Sequence, residues 1–201
     1  AGPAKRPLIV ITNGSVQAAE WLYWYAAQTL AKAGYVVLTF DPQGQGLSDT
    51  RGEGPDQNEG VPAQSDGRPF FDGTEDAINF LLSTPRHHYE PVPSCNSATS
   101  HAPKQNRRVR EGLDSAYNPY WGMLDASKLG LAGHSYGAAG VSYIGQWDPR
   151  VGAIVAWDNL SAPDPNRPLF NGTGPAEKGC VNQAARRPAR IRRPALGMSA
   201  D

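Results

Sequence analysis

Short, continuous runs of apolar residues recur along the chain, and each is followed directly by a polar residue. Runs of this kind, without alternation of apolar and polar positions, are typical of strands that are buried on both faces of a sheet. They predict strands at 8–12, 35–40, 128–133, 151–157 and 194–198.

Between these runs, apolar residues recur at three- and four-residue spacing, which predicts helices. The first helix covers about 16–33 and ends at Gly34. A second begins near Asp72 and stops before Pro85, and a third covers 136–146. Strands that alternate with helices predict an α/β fold with a mostly parallel, doubly wound sheet.

Two long segments show no apolar period, at about 42–71 and 86–125. They are rich in Gly, Pro and polar residues, and segments of this length are typical of functional loops or lids. We expect both to be excursions from one α/β core that spans residues 1–201, since this length fits a single domain.

Charge and hydropathy restrict the partners. Lys+Arg and Asp+Glu both number 19, and the pI is about 7.1. A neutral chain has no overall basic field, so we expect no nucleic-acid partner and no polyanionic substrate. No membrane span is predicted, because no run of about 18 apolar residues occurs.

The pentapeptide Gly133-His134-Ser135-Tyr136-Gly137 lies between a predicted strand and a predicted helix. A catalytic serine needs a sharp turn that exposes its hydroxyl near a helix N-terminus, and small residues two positions before and after it permit that turn. We therefore interpret Ser135 as a nucleophile, rather than as a serine in a glycine-rich turn without chemistry.

With this motif the chain resembles the α/β-hydrolase family of serine esterases and lipases. Segments 12–15 and 41–49, which follow the first two strands, add to the resemblance. The resemblance implies that Ser135 attacks an ester and that the backbone N–H groups of Tyr136 and Ser15 form the oxyanion hole. It implies no metal and no organic cofactor.

The resemblance also implies an incomplete fold, because the strand at 8–12 corresponds to the family's third strand. We expect these residues to lack the family's first strands and its last strand. The acid of the catalytic triad is then expected at Asp201, just after the strand at 194–198. Asp158, which follows the strand at 151–157, is the alternative acid, and its other interpretation is a loop carboxylate that caps neighbouring amides.

The catalytic histidine of the family follows the acid, and no histidine follows Asp201. His87, His88 and His101 precede the nucleophile in a long loop, and His134 adjoins it and is interpreted as structural. We expect the base and the last strand to come from a second chain or from a segment outside these residues.

Four aromatic residues, at 21 and 23–25, cannot all face one side of a helix. Together with Trp157 they favour an apolar or aromatic acyl group, with Trp21 and Trp157 as substrate-binding residues. Packing of these aromatic side chains against the two excursions is the equal alternative.

The two cysteines, Cys95 and Cys180, lie in loop-like segments rich in Pro, Asn and Ser. A disulfide between them is predicted, with two unrelated thiols as the alternative. The disulfide, together with a composition rich in Arg, Gly and Pro and poor in Lys, predicts a secreted bacterial protein.

The sequence thus predicts a serine carboxylesterase that acts on a small-molecule ester. Two alternatives stay open: a non-catalytic hydrolase-fold module that binds a ligand or partner, and an amidase or peptidase of the same fold.

Overall fold

The computed structural model describes residues 4–15, 18–49, 68–93, 100–158, 160 and 192–199. In this part of the chain, a five-stranded sheet has the order β2-β1-β3-β4-β5, and every pair of neighbouring strands is parallel. The strands are β1 (Arg6–Thr12), β2 (Val36–Phe40), β3 (Leu124–His134), β4 (Val151–Trp157) and β5 (Ala195–Met198). The predicted fold class is confirmed, with all five predicted strands present.

Helices cover both faces of this sheet. The described α-helices are α1 (Trp24–Lys32), α2 (Arg68–Leu82), α3 (Ala102–Arg110) and α4 (Tyr136–Trp147). Going from β1 to β2 the chain steps one way along the sheet, and from β2 through β3 to β4 it steps the other way. Because such crossovers are right-handed, α1 lies on one face and α2 and α4 lie on the other.

Two clusters of buried side chains follow from this layering. Leu8 and Val10 of β1 belong to the cluster under α2 and α4, and Ile11 belongs to the cluster under α1. Successive side chains of a strand point to opposite faces, so one continuous apolar run supplies both clusters. No helix in the described part of the chain is long and apolar enough to cross a membrane.

Several strands and helices begin at other residues than the sequence pattern predicts. β3 begins at Leu124, before the predicted 128, and its pairing with β1 shifts register between Arg6 and Leu8. The irregular start hides the strand pattern, because Asp125, Ser127 and Lys128 interrupt the apolar run. α2 starts at Arg68, inside the predicted first excursion.

The predicted first helix and the second excursion are also more structured than the sequence pattern indicated. The 16–33 segment contains a 3₁₀ helix, Glu20–Tyr23, followed by α1. Within 86–125 lie α3 and a second 3₁₀ helix, Trp121–Met123. α3 buries no residue, so it carries no apolar period by which sequence patterning could detect it.

α4 is buried along most of its length and packs closely against α2 through Gly140. A Cβ at position 140 would lie 2.5 Å from the carbonyl oxygen of Phe70, a backbone atom that cannot swing aside. The absence of a side chain at position 140 therefore allows the two helices to approach this closely.

Gly140→Ala should lower the free energy of unfolding by about 1–3 kcal/mol, because the added methyl group forces α2 and α4 apart. Gly122→Ala is the matched control, since a Cβ at position 122 meets nothing within 4 Å. Urea unfolding of both variants gives the comparison. Equal midpoints for the two variants would contradict the packing argument.

Candidate active site

Ser135 lies at the turn that joins β3 to α4, with φ 54° and ψ −120°. Apart from glycine, Asp158 is the only other residue in the described part of the chain with positive φ. Residues other than glycine rarely adopt this backbone conformation, which costs a free energy on the order of 1–3 kcal/mol. The surrounding contacts hold Ser135 in it: its N–H donates to the Trp157 carbonyl at 3.2 Å, and its own carbonyl accepts from the Ala139 N–H at 3.1 Å.

The two glycines of the pentapeptide are required by close backbone approaches. A Cβ at Gly133 would lie 2.4 Å from the Gly137 carbonyl oxygen. A Cβ at Gly137 would lie 2.3 Å from the carbonyl oxygens of both Thr12 and Asn13. The spacing of the motif therefore reflects the turn itself and the seating of α4 on the loop after β1.

That loop, residues 13–15, lies against the serine turn. A Cβ at Gly14 would be 3.1 Å from the Ser135 Cβ and 2.9 Å from the His134 Nδ1 atom. Ser15 follows Gly14, and its hydroxyl oxygen is buried without a hydrogen-bond partner among the described residues. On the other side of Ser135, Tyr136 is the first residue of α4.

Tyr23 connects this loop to the serine turn. Its hydroxyl oxygen accepts the Gly14 N–H at 3.0 Å and lies 2.8 Å from the His134 Nδ1 atom. The Tyr23 ring stacks on Trp157 with 6.4 Å between ring centroids and 5° between planes. Burial raises the pKa of the Tyr23 phenol, so the group keeps its proton as a hydrogen-bond donor.

Asp41 holds the same loop from the β2 side. One carboxylate oxygen accepts from the Asn13 side-chain amide at 3.1 Å and from the Glu20 N–H at 2.7 Å, and the other accepts from the Leu47 N–H at 3.0 Å. The Asn13 amide also donates to the Ala18 carbonyl at 2.8 Å. One carboxylate thus joins the loop after β1, the 3₁₀ helix and the loop after β2.

The chain is similar to known α/β hydrolases. No protein-family model matches the chain. An α/β hydrolase of Acremonium sp., ucsC, is 27% identical over 156 residues, which are 78% of this chain and 23% of that protein. Two solved structures superpose with TM-scores of 0.50, 2,6-dihydroxy-pseudo-oxynicotine hydrolase and the acylaminoacyl peptidase of Pyrococcus horikoshii.

Both structures are 14% identical to the chain, and they cover 98% and 99% of it, respectively. The chain has the fold of the α/β hydrolases. It spans about a quarter of the length of ucsC, 46% of the pseudo-oxynicotine hydrolase and 28% of the peptidase.

Of the two candidate acids of this hydrolase-fold chain, the structure describes only Asp158. Asp158 follows β4 directly, is exposed, and has φ 64°. Trp157 pairs with Met198, the last residue of β5, and the Asp158 N–H donates to the Met198 carbonyl. Asp201 lies outside the described residues, three positions after Met198.

The four histidines of the hydrolase-fold chain lie in different places. α2 runs from the carboxyl end of β2 back to the amino edge of the sheet, so His87 and His88, which follow it, lie at the edge opposite Ser135. His101 lines a cavity with Phe40 and Asp41, beside β2. The His134 Nδ1 atom lies 2.8 Å from the Tyr23 hydroxyl oxygen.

The remaining predicted site residues are the two tryptophans and the two cysteines, and they lie in different parts of the chain. Trp21 is 50% exposed, and Trp157 is partly buried against the cluster under α1. Cys95 and Cys180 lie outside the described residues, so their disulfide stays a prediction.

Sequence reasoning did not identify Tyr23 or Asp41 as site residues. Tyr23 stood out only as one of four neighbouring aromatics, and Asp41 only as the first residue of the 41–49 segment. Asp41 directly follows the β2 strand, and Gly46 leaves room for its carboxylate, since a Cβ at position 46 would lie 2.2 Å from it. The position of Asp41 directly after a predicted strand was the sequence feature that could have identified it as a site residue.

Asp41→Asn should lower the free energy of unfolding by about 2–3 kcal/mol, because the amide group that replaces one oxygen faces a backbone N–H and cannot accept from it. Asp49→Asn is the control, since the Asp49 side chain is 71% exposed and makes a surface ion pair with Lys104. Denaturant unfolding measures both. A loss at position 41 no larger than at position 49 would contradict the role of Asp41.

Proposed function

We propose that this chain carries the nucleophile and the oxyanion hole of a serine hydrolase that cleaves a carboxylic ester through an acyl-enzyme. The observation that carries the proposal is the backbone of Ser135, which is held at φ 54° between a parallel strand and a helix N-terminus. Proteins maintain such a conformation against its cost when it serves the site, and here it lifts the hydroxyl above the sheet edge.

The reaction would run in two halves. The Ser135 Oγ attacks the ester carbonyl carbon while its proton passes to the base, and the negative charge on the carbonyl oxygen is stabilised by the N–H groups of Tyr136 and Ser15. The alcohol leaves with a proton, and water then hydrolyses the acyl-enzyme. The α4 helix dipole adds favourable potential at the same point, since Tyr136 is the first residue of that helix.

The triad is completed by an acid and a base. We assign the acid to Asp201, with Asp158 as the alternative, because β4 and β5 are neighbouring parallel strands and the two aspartates follow them in the sequence. His87 and His88 lie at the opposite edge, and His134 is bonded to Tyr23. His101 lines a cavity with Phe40 and Asp41 beside β2 and is not excluded by its position. As the family resemblance implies, we assign the base to a histidine on a segment or second chain outside these residues, with His101 as the alternative within this chain.

The substrate class follows from the aromatic residues near the site. Trp21 is half exposed on the 3₁₀ helix that follows the loop at 13–15, and Trp157 ends the strand next to β3. These positions favour an apolar or aromatic acyl group on a small ester. Secretion, which would suit a Cys95–Cys180 disulfide, is part of the proposal.

A fluorophosphonate probe tests the nucleophile on the intact protein. Wild-type protein should be labelled at one serine, and Ser135→Ala should abolish labelling, because the probe's phosphorus is attacked only by an activated hydroxyl. Ser127→Ala, at an exposed serine of β3, is the control and should be labelled as wild type is.

Intact-mass analysis measures how much of each protein is labelled by the probe. A folded wild-type protein that stays unlabelled would overturn the proposal in favour of a non-catalytic hydrolase-fold module. Hydrolysis of matched ester and anilide substrates separates an esterase from an amidase or peptidase.

Asp201→Asn should lower kcat by roughly 10³–10⁴-fold with little change in KM, because the base loses the carboxylate that orients it. Asp158→Asn should lower kcat by less than about tenfold if it only caps a loop. Steady-state hydrolysis of an activated ester measures both variants. The reverse order of effects would reassign the acid to Asp158.

A further inference from the structure

The Tyr23 hydroxyl joins the two backbone segments that carry the oxyanion donors. We propose that Tyr23 is a positioning residue that sets the distance between the N–H groups of Ser15 and Tyr136. This inference rests on the proposed function, since it concerns the same oxyanion hole. It adds a residue outside the triad and outside the Gly-x-Ser-x-Gly motif.

The two bonds of the hydroxyl explain how one group acts on both donors. On one side it accepts the Gly14 N–H at 3.0 Å, and Gly14 immediately precedes Ser15. On the other it lies 2.8 Å from Nδ1 of His134, the residue before Ser135. A movement of either segment therefore stretches a bond to the same oxygen atom.

The donors and acceptors of this bridge can be assigned in order. A backbone N–H only donates, so the Tyr23 oxygen accepts from Gly14. The proposal assigns the Tyr23 O–H as the donor to the His134 Nδ1 atom. In the proposed bridge, Nδ1 is then the acceptor and the ring N–H lies on Nε2. His134 thus serves as the anchor of the bridge and is not the base of Ser135.

The Tyr23 ring is itself fixed in place. It is 7% exposed and stacks on Trp157, the residue whose carbonyl accepts the Ser135 N–H. The hydroxyl is therefore supported from the strand next to the nucleophile. Donors of an oxyanion hole contribute to rate only when they are held at the position that the developing charge will occupy, so rigidity at this point has a catalytic consequence.

Tyr23→Phe removes the hydroxyl and keeps the ring. The test follows reaction of the intact protein with a fluorophosphonate, in which the Ser135 Oγ–P bond forms, the P–F bond breaks, and fluoride and the serine proton are released. The limiting rate of labelling should fall by about tenfold or more, whereas the concentration for half-maximal rate should change by less than about twofold, because the hole acts in the transition state.

Two controls separate positioning from general destabilisation. Tyr120→Phe removes an exposed hydroxyl outside the site, just before the 3₁₀ helix at Trp121–Met123, and should leave the labelling rate unchanged. Ser83→Ala removes a buried hydroxyl that accepts the Asn118 N–H at 2.9 Å, far from the site at the end of α2. It should lower the urea midpoint much as Tyr23→Phe does and leave labelling unchanged.

Nuclear magnetic resonance tests the bridge independently of reactivity. In wild type, the Gly14 amide should be protected from hydrogen exchange. The His134 Nδ1 atom should show the ¹⁵N shift of an unprotonated acceptor. Tyr23→Phe should abolish the protection of the Gly14 amide.

The outcomes separate the two proposals. If wild type and Tyr23→Phe are labelled equally fast, the positioning role is wrong and the serine hydrolase stands. A fall of equal size in Ser83→Ala would likewise overturn the positioning role. If wild type is not labelled at all, the proposed function fails, and the positioning role with it.

Discussion

The close approach of three backbone segments at the end of β3 is the constraint on which the rest of the structure depends. Gly133 meets the first turn of α4, and Gly137 meets the carbonyl oxygens of Thr12 and Asn13 at distances that leave no room for a Cβ. With α4 seated this closely against the end of β3 and the loop after β1, the chain turns from strand to helix at Ser135, whose φ is 54°. The close packing of α4 and the strained backbone of Ser135 therefore occur at the same turn.

Backbone crowding brings polar groups together, and the buried ones need partners. Asp41 supplies acceptors for the N–H groups of Glu20 and Leu47 and for the Asn13 amide. Tyr23 supplies an acceptor for the Gly14 N–H. Both side chains join segments that follow different strands, so the loops around Ser135 are held by bonds that cross the carboxyl edge of the sheet. In the proposed serine hydrolase, these bonds would hold the donors of the oxyanion hole in place.

Much of the fold could be predicted because its signals are local. Buried parallel strands appear as continuous apolar runs, and β4 was predicted with the bounds that the structure shows. The start of β3 could not be predicted, since its first residues pair through a register shift and are interrupted by polar side chains. α3 was missed because no side chain of it is buried, and apolar periodicity records only burial.

The sequence by itself determined the strand-turn-helix at Ser135, because glycine spacing and apolar runs act over a few residues. Only the tertiary structure decided which side chains support that turn. Tyr23 and His134 are 111 positions apart and Asn13 and Asp41 are 28 apart, and nothing in the local pattern around any of them specifies its partner. Such pairs are set by strand order and crossover handedness, which bring the carboxyl ends of β1, β2 and β3 to one edge.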